Sequence, residues 1–222
     1  MSIEIDGHYS RKSKPNVFNK EWLTNLSDRK ISEITIPGTH DSCCKNKIYI
    51  AETQSWNLTD QLNAGIRYLD IRCRHYNDIF SIHHGLIHCN ILFGEVLFEI
   101  KYFLNENPGE FIIMRIQEEY KPEGNTKTFQ ETFEYYIRGY SDLFYFSDEI
   151  PFLSEVRGKI FVMRNFDFKK GYNWKNCDIQ DYWDLGTPFS IDKKEKKIVH
   201  QIIKSHYGDL SKFYVNHCSG TG

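Results

Sequence analysis

FGEVLFEIKYFLNENPGEFIIMRI, residues 93–116, decides the fold class of this chain. Phe93, Val96, Leu97, Ile100, Phe103 and Leu104 recur at the spacing that lines one face of a helix. Asn107, Pro108 and Gly109 close that helix, since proline has no N–H to extend it. Phe111 to Ile116 is a short, strongly apolar run. It reads as a strand covered on both faces. A helix running straight into such a strand is half of a βαβ unit.

The same alternation extends outward. Glu33 to Pro37 (EITIP), Ile66 to Ile71 (IRYLDI) and Ile79 to His83 (IFSIH) are strand candidates on the amino-terminal side. Thr128 followed by Glu131 is a capping box, and the helix it opens carries Phe129, Phe133, Tyr136 and Ile137 on one side. Lys159 to Met163 (KIFVM) is strand-like, Ile198, Val199, Ile202 and Ile203 mark another helix face, and Lys212 to Val215 is a last strand candidate. Alternating strands and helices imply a parallel sheet, either an open doubly wound sheet or a β/α barrel. About six strands are counted, whereas a closed barrel takes about eight strands and about 250 residues. The expectation is therefore an α/β fold, a TIM-type β/α barrel that is irregular or incomplete at its carboxyl-terminal end. It places a flexible segment at residues 1–20 and one catalytic barrel at residues 21–222.

Composition excludes several classes. With 222 residues, 40% of them hydrophobic, and a formal charge of −2, the chain suits one core and has no basic stretch for nucleic acid. Lys193, Lys194, Lys196 and Lys197 surround Glu195 and read as a solvated helix face, with attraction to an anionic lipid surface as the alternative. Cys43, Cys44, Cys73, Cys89, Cys177 and Cys218 lack zinc-site spacing and read as free thiols of a reducing compartment. The first sixteen residues have no apolar core of a signal peptide, and no apolar run approaches the roughly 20 residues of a membrane span. These features predict a cytoplasmic protein with peripheral membrane contact, or a secreted one had a leader been removed.

Three segments put chemistry at apparent strand ends: IPGTHDS at 36–42, YLDIR at 68–72 and IHHG at 82–85. In parallel α/β architectures the carboxyl ends of the strands share one side, where sites form. His40, Asp41, Asp70, Arg72 and His84 then converge. Cleaving a phosphodiester by an internal hydroxyl needs a base, an acid and a cation on the phosphate oxygens. Histidines supply the first two near neutral pH, and the planar fork of arginine suits the third. Aspartates can fix each imidazole's tautomer. Each piece alone has a plain structural reading, and Asp70 with Arg72 could be an ordinary ion pair.

IPGTHDS, then AGIRYLDIR, then HHG in this order resembles the X domain of phosphatidylinositol-specific phospholipases C. The match is closest to the bacterial-type, calcium-independent branch and its eukaryotic single-domain relatives. Gln61-Leu62, Asn107-Pro108 with Glu110, Glu119-Tyr120 and Arg157 to Ile160 fit as well, so the resemblance runs from about Asn25 to near Val215. It implies His40 as the base that deprotonates the inositol 2-hydroxyl, His84 as the acid toward the departing diacylglycerol, Arg72 as the phosphate clamp, and Asp41 and Asp70 as their supports. It implies no metal and no other cofactor, since Arg72 stands where the calcium-dependent branch gathers metal ligands. It also implies headgroup contacts at Gln117, Arg164, Asp181 and Trp183. The partners implied are a phosphatidylinositol headgroup and, transiently, a membrane surface. Ile48, Tyr49, Ile50 and Trp56 could form part of the pocket rim that touches it, or pack in the core, whereas Phe144 to Phe146 read first as core packing and only otherwise as rim. The family's further aspartate, which orients the base from the last strands, has no match in this sequence. Two rivals stand beside this reading: a catalytically weak phosphoinositide-binding protein, and a lipid phosphodiesterase using a metal between carboxylates.

Overall fold

The computed structural model describes residues 18–45, 52–187 and 189–221. Its elements in chain order are β1 (Gly38–Thr39), α1 (Leu58–Ala64), β2 (Tyr68–Tyr76), β3 (Ile79–His84), β4 (Ile87–Leu92), α2 (Phe93–Glu106), β5 (Ile112–Glu118) and α3 (Phe129–Gly139). Then follow β6 (Phe144–Tyr145), α4 (Leu153–Val156), β7 (Ile160–Asn165), β8 (Tyr172–Asn173), β9 (Asp178–Gln180), α5 (Phe189–His206) and β10 (Tyr214–Asn216). The main sheet runs β4-β3-β2-β5-β7-β6, with β1 on β2 and β8 on β7. β9 and β10 pair with each other in parallel as a separate sheet. The strand–helix alternation is that of a β/α barrel, and among the described residues it does not close.

Parallel pairing holds where helices make the crossovers, β2·β5 and β5·β7. The expectation of parallel strands throughout fails at β2-β3-β4, which form an antiparallel meander. The reason is connection length: a parallel crossover needs a dozen or more residues, whereas two residues join β2 to β3. Those two, Asn77 and Asp78, both hold positive φ (49° and 59°), the backbone of a tight hairpin turn. A second correction concerns Glu33 to Pro37. Ile31–Glu33 is a short 3₁₀ turn, and the paired strand is only Gly38–Thr39. Pro37 donates no N–H, so ladder pairing begins after it.

Strand alternation divides the core in two. Leu69, Ile71, Ile112, Met114, Ile116, Ile160 and Val162 face α2 and α3, where Val96, Leu97, Ile100, Phe129 and Phe133 cover them. Ile113, Phe161 and Met163 point the other way, packing with Phe111, Leu153, Trp174 and Phe213. Residues Asp70, Arg72, Arg115 and Gln117 have this second parity and lie toward the carboxyl ends. Thus the same pleat that fills the interior aims polar groups at one end of it. The Thr128–Glu131 capping box forms as expected. Phe144 stacks with Phe146 and meets Phe133 edge-on, so this cluster is core and not rim. Ile48, Tyr49 and Ile50 lie outside the described residues.

Helix α5 reverses its expected face. Lys194 and Gln201 are buried, while Val199, Ile202 and Ile203 are exposed. Lys194 Nζ donates to the His217 carbonyl, and Gln201 Nε2 donates to the carbonyls of Asp178 and Val215 (2.9 and 3.3 Å). The helix therefore holds β9 and β10 by side-chain-to-backbone bonds, and Lys194 leaves the solvated face assigned to it. Among the described residues no helix is long and apolar enough to cross a membrane.

The reading of six free thiols is also corrected. Cys44 and Cys89 form a disulfide across 45 residues of sequence, and Cys43, Cys73, Cys177 and Cys218 remain thiols. Spacing in sequence gives no sign of this pair, because the sheet alone brings β4 beside the loop after β1. By chain entropy such a closure contributes about 2–4 kcal/mol.

Candidate active site

The loop Thr39–Ser42 is built on the ends of β1 and β2. Gly38 lies so close to Tyr68 that an added Cβ would meet its side chain at 2.7 Å. Ser42 Oγ accepts from the Asp70 N–H (2.8 Å), and Ser42 N–H donates to the Asp70 carbonyl (3.0 Å). Thr39 Oγ1 donates to Gln61 Oε1 (2.7 Å), which explains why Gln61 is buried on α1. Asp41 is held in the left-handed region (φ 45°), unusual for a residue other than glycine, with its N–H on Asp70 Oδ2 (3.2 Å).

Asp70 is the hub. Its side chain is fully buried, with Oδ1 accepting from Arg115 Nη1 (2.8 Å) and Oδ2 facing Arg72 Nη2 (3.2 Å) and His40 Nδ1 (3.3 Å). Burial alone would raise its carboxyl, but the His40 contact and the Arg115 and Arg72 charges outweigh that and hold it below the usual carboxylate range. Arg72 bridges from Asp70 to Asp41, with Nε 2.7 Å from Asp41 Oδ1, and reaches toward Glu119 (3.8 Å). Desolvation opposes the Arg72 charge, and three carboxylates more than restore it. Arg72 Nη2 also lies 3.2 Å from His40 Nε2. The same Arg72 nitrogen lies 3.4 Å from Nδ1, and with Nδ1–H directed at Asp70 the imidazole would keep its lone pair at Nε2.

Asp41 Oδ2 sits between two imidazoles, 3.6 Å from His40 Nε2 and 3.7 Å from His84 Nε2. His84 ends β3, and Gly85 turns away at φ 57° with its N–H on Glu119 Oε1 (2.9 Å). Alternation separates the two neighbouring histidines. His83 is buried beside His88, while His84 opens to the cavity. That cavity, about 1380 Å³, is lined by His40, Arg72, His84, Asp181, Trp183 and His217 among others.

Seven of the nine expected site residues are thus gathered: His40, Asp41, Asp70, Arg72 and His84 in one ionic network, with Asp181 and Trp183 on the cavity wall. Gln117 lies below that wall. It accepts from Asn165 Nδ2 (3.0 Å) and from Arg115, and donates to Glu119 (2.9 Å). Arg164 is not gathered. It follows Val162 by two residues, shares that residue's face, and donates to the Gly171 carbonyl (3.1 Å). The inward position at the end of β7 belongs to Asn165.

Two members went unread in the sequence. Arg115 is the one charge inside FIIMRI, two residues from Gln117, and that parity was the available signal. It also stacks on Trp174, 4.3 Å from the ring centre. His217 had no such signal. Its ring meets His40 edge-on at 5.7 Å between centres, and its backbone is held by Gln180 and Lys194. Burial lowers its pKa, against the pull of Asp181 and Asp70.

The Asp41 carboxyl is pushed up to about 6, chiefly by burial and with Asp70 adding to it, against the Arg72, His40 and His84 charges. A native pKa above the unfolded value of about 4 favours the protonated native form. That contribution is complete below pH 4 and is lost as pH rises through 6. Asp41→Asn, which stays neutral, escapes the loss. Relative to the wild type it should gain about 2 kcal/mol between pH 4 and pH 7.5. Urea unfolding at the two pH values measures this, and an equal difference at both would refute it.

Comparison with known proteins bears on the family to which this chain belongs. The family "Phosphatidylinositol-specific phospholipase C, X domain" matches residues 27–166. The 1-phosphatidylinositol phosphodiesterase of Listeria monocytogenes is 34% identical over 96% of this chain and 72% of its own length. The Staphylococcus aureus (strain Newman) protein of the same name is 36% identical over 72% of this chain, which spans 56% of that relative. A solved structure of the S. aureus phosphatidylinositol-specific phospholipase C, described for modulation of its membrane binding, superposes with a TM-score of 0.79. It is 28% identical, covering 91% of this chain and 78% of its own. On the extent of the family match and the Listeria relative together, the chain belongs to the phosphatidylinositol-specific phospholipase C X-domain family.

Proposed function

We propose that this chain cleaves phosphatidylinositol to diacylglycerol and inositol 1,2-cyclic phosphate. The observation that carries the reading is the placement of two imidazoles on one Asp41 oxygen with Arg72 between the carboxylates. His40 Nε2 takes the proton of the inositol 2-hydroxyl, and the alkoxide attacks phosphorus. Arg72 holds the phosphate oxygens as charge builds on them. His84 supplies a proton to the leaving glycerol oxygen. Asp70 holds the base, and Asp41 steadies both imidazoles as they gain and lose charge. Water then opens the cyclic ester with the histidines exchanging roles.

Asp181 and Trp183 are proposed to receive the headgroup, the carboxylate accepting from ring hydroxyls and the indole covering the sugar's apolar face. Gln117 is proposed as a prop for Arg115 and Glu119, not a direct contact. The half-exposed Trp183 beside the cavity suits transient contact with the lipid surface. In this reaction Arg72 supplies the charge that a metal would bring.

The test is release of cyclic inositol phosphate from phosphatidylinositol vesicles in excess chelator. Product at the same rate with and without chelator is expected. Activity abolished by chelator would favour the metal-dependent alternative, and saturable inositol phosphate binding without product would favour a binding protein.

A further inference from the structure

We propose that the Cys44–Cys89 disulfide is a positioning device for the reaction, locking the loop that carries His40 against the hairpin that carries His84. This rests on the functional reading above. Cys44 lies four residues after His40, at the end of an irregular loop strained at Asp41. Cys89 lies on β4, whose register with β3 sets His84 opposite Ile87 and His83 opposite His88. The bond, with Cα atoms 4.8 Å apart, therefore spans the two segments that bear the base and the acid.

The described hydrogen bonds of the loop include those of Thr39 and Ser42 with Gln61 on α1. They also reach β2 through Asp70, and they reach residues 53 and 54, where Thr53 and Gln54 N–H groups meet the Cys44 carbonyl and Gln54 Nε2 meets the His40 carbonyl (2.6 Å). These set the loop's height on β2. The covalent bond ties it sideways to β4. Base and acid must stand on opposite sides of one phosphorus, and an error of about 1 Å in such a pair costs about 100-fold.

The bond is built to persist. Cys44 and Cys89 are buried, at 0% and 3% exposure. The nearby thiols Cys43 and Cys73 are buried too, and burial pushes both well above the ordinary thiol range, so neither offers a thiolate for exchange.

The experiment compares the wild type with Cys44→Ala/Cys89→Val, an apolar pair, at a temperature well below both melting points. The expected result is a 10- to 100-fold fall in kcat with KM within about threefold. Amide exchange at residues 40–44 should also be faster. A lower melting point with unchanged kcat would make the bond a stability staple only and overturn the proposal. Unchanged exchange at 40–44 would overturn it regardless of activity. If the wild type releases no product, the functional reading has failed, and the exchange measurement still decides the tether. Should the variant not fold, the wild type is treated with dithiothreitol in mild denaturant and returned to buffer. The dithiol gives two electrons and two protons to the disulfide and closes to its own cyclic disulfide. Alkylation should then mark six cysteines in place of four, and the same two measurements apply.

Discussion

Alanine at His40 is expected to lower kcat/KM by about three to four orders of magnitude, with the melting point within a few degrees of wild type. His40 is partly open to the cavity, and its described contacts are polar or aromatic ones to Asp70, Asp41, Arg72 and His217. On the proposed mechanism, its removal takes away the group that carries the proton and leaves Arg72 to bind phosphate as before. The loss should therefore fall on kcat, with KM changed little. His84→Ala should cost a similar amount. The double variant should be barely worse than either single one, because a base without its acid completes few turnovers, and groups that act as a unit are not additive. Steady-state cleavage of phosphatidylinositol by the three variants tests this. Losses that multiply in the double variant would show two independent contributions and would sink the paired acid–base mechanism.

Asp70→Asn should damage both folding and rate. The carboxylate is fully buried among Arg115, Arg72 and His40. An amide of the same shape leaves buried Arg115 and half-buried Arg72 short of counter-charge. Breaking a buried pair from one side costs about 3–5 kcal/mol. A domain of ordinary stability, about 5–15 kcal/mol, remains mostly folded after such a loss. A fall in kcat of about 1000-fold or more is therefore not unfolding; on the proposed mechanism it reports a base no longer held in its working tautomer. Adding Arg115→Met removes one stranded charge and should recover much of the stability without recovering kcat. Urea unfolding and initial rates on the single and double variants separate the two effects. Stability within 1 kcal/mol of wild type in Asp70→Asn would mean the hub does not hold the network as described.

Both predictions concern residues that could be picked from the sequence, and that is instructive about where legibility stops. His40, Asp70, Arg72 and His84 were readable because each sits where a periodic apolar run breaks into a polar loop. Such breaks are local events. Arg115 was half-readable, since its parity matched Gln117, yet nothing local said that Asp70 would be its partner 45 residues earlier. Arg164 was misplaced by one position, and one position is enough to turn a strand residue to the opposite face. The helix at 189–206 was found, but its buried side was not. Apolar periodicity marks the inward face only when the neighbour is apolar, and here the neighbours are backbone carbonyls of β9 and β10.

Local pattern settles the α/β class, the helix spanning 93–106 and the buried strands around 69, 113 and 161, and the family resemblance supplies the candidate base, acid and clamp. The class, the helix and the strands depend on neighbours within a few residues. The antiparallel hairpins, the Cys44–Cys89 bond, the approach of His217 to His40 and the gathering of two guanidiniums and an imidazole around Asp70 came from the tertiary structure alone. These depend on which segments distant in the chain the sheet makes adjacent. That adjacency follows from crossover lengths, strand register and the burial of whole faces, not from any one stretch read alone.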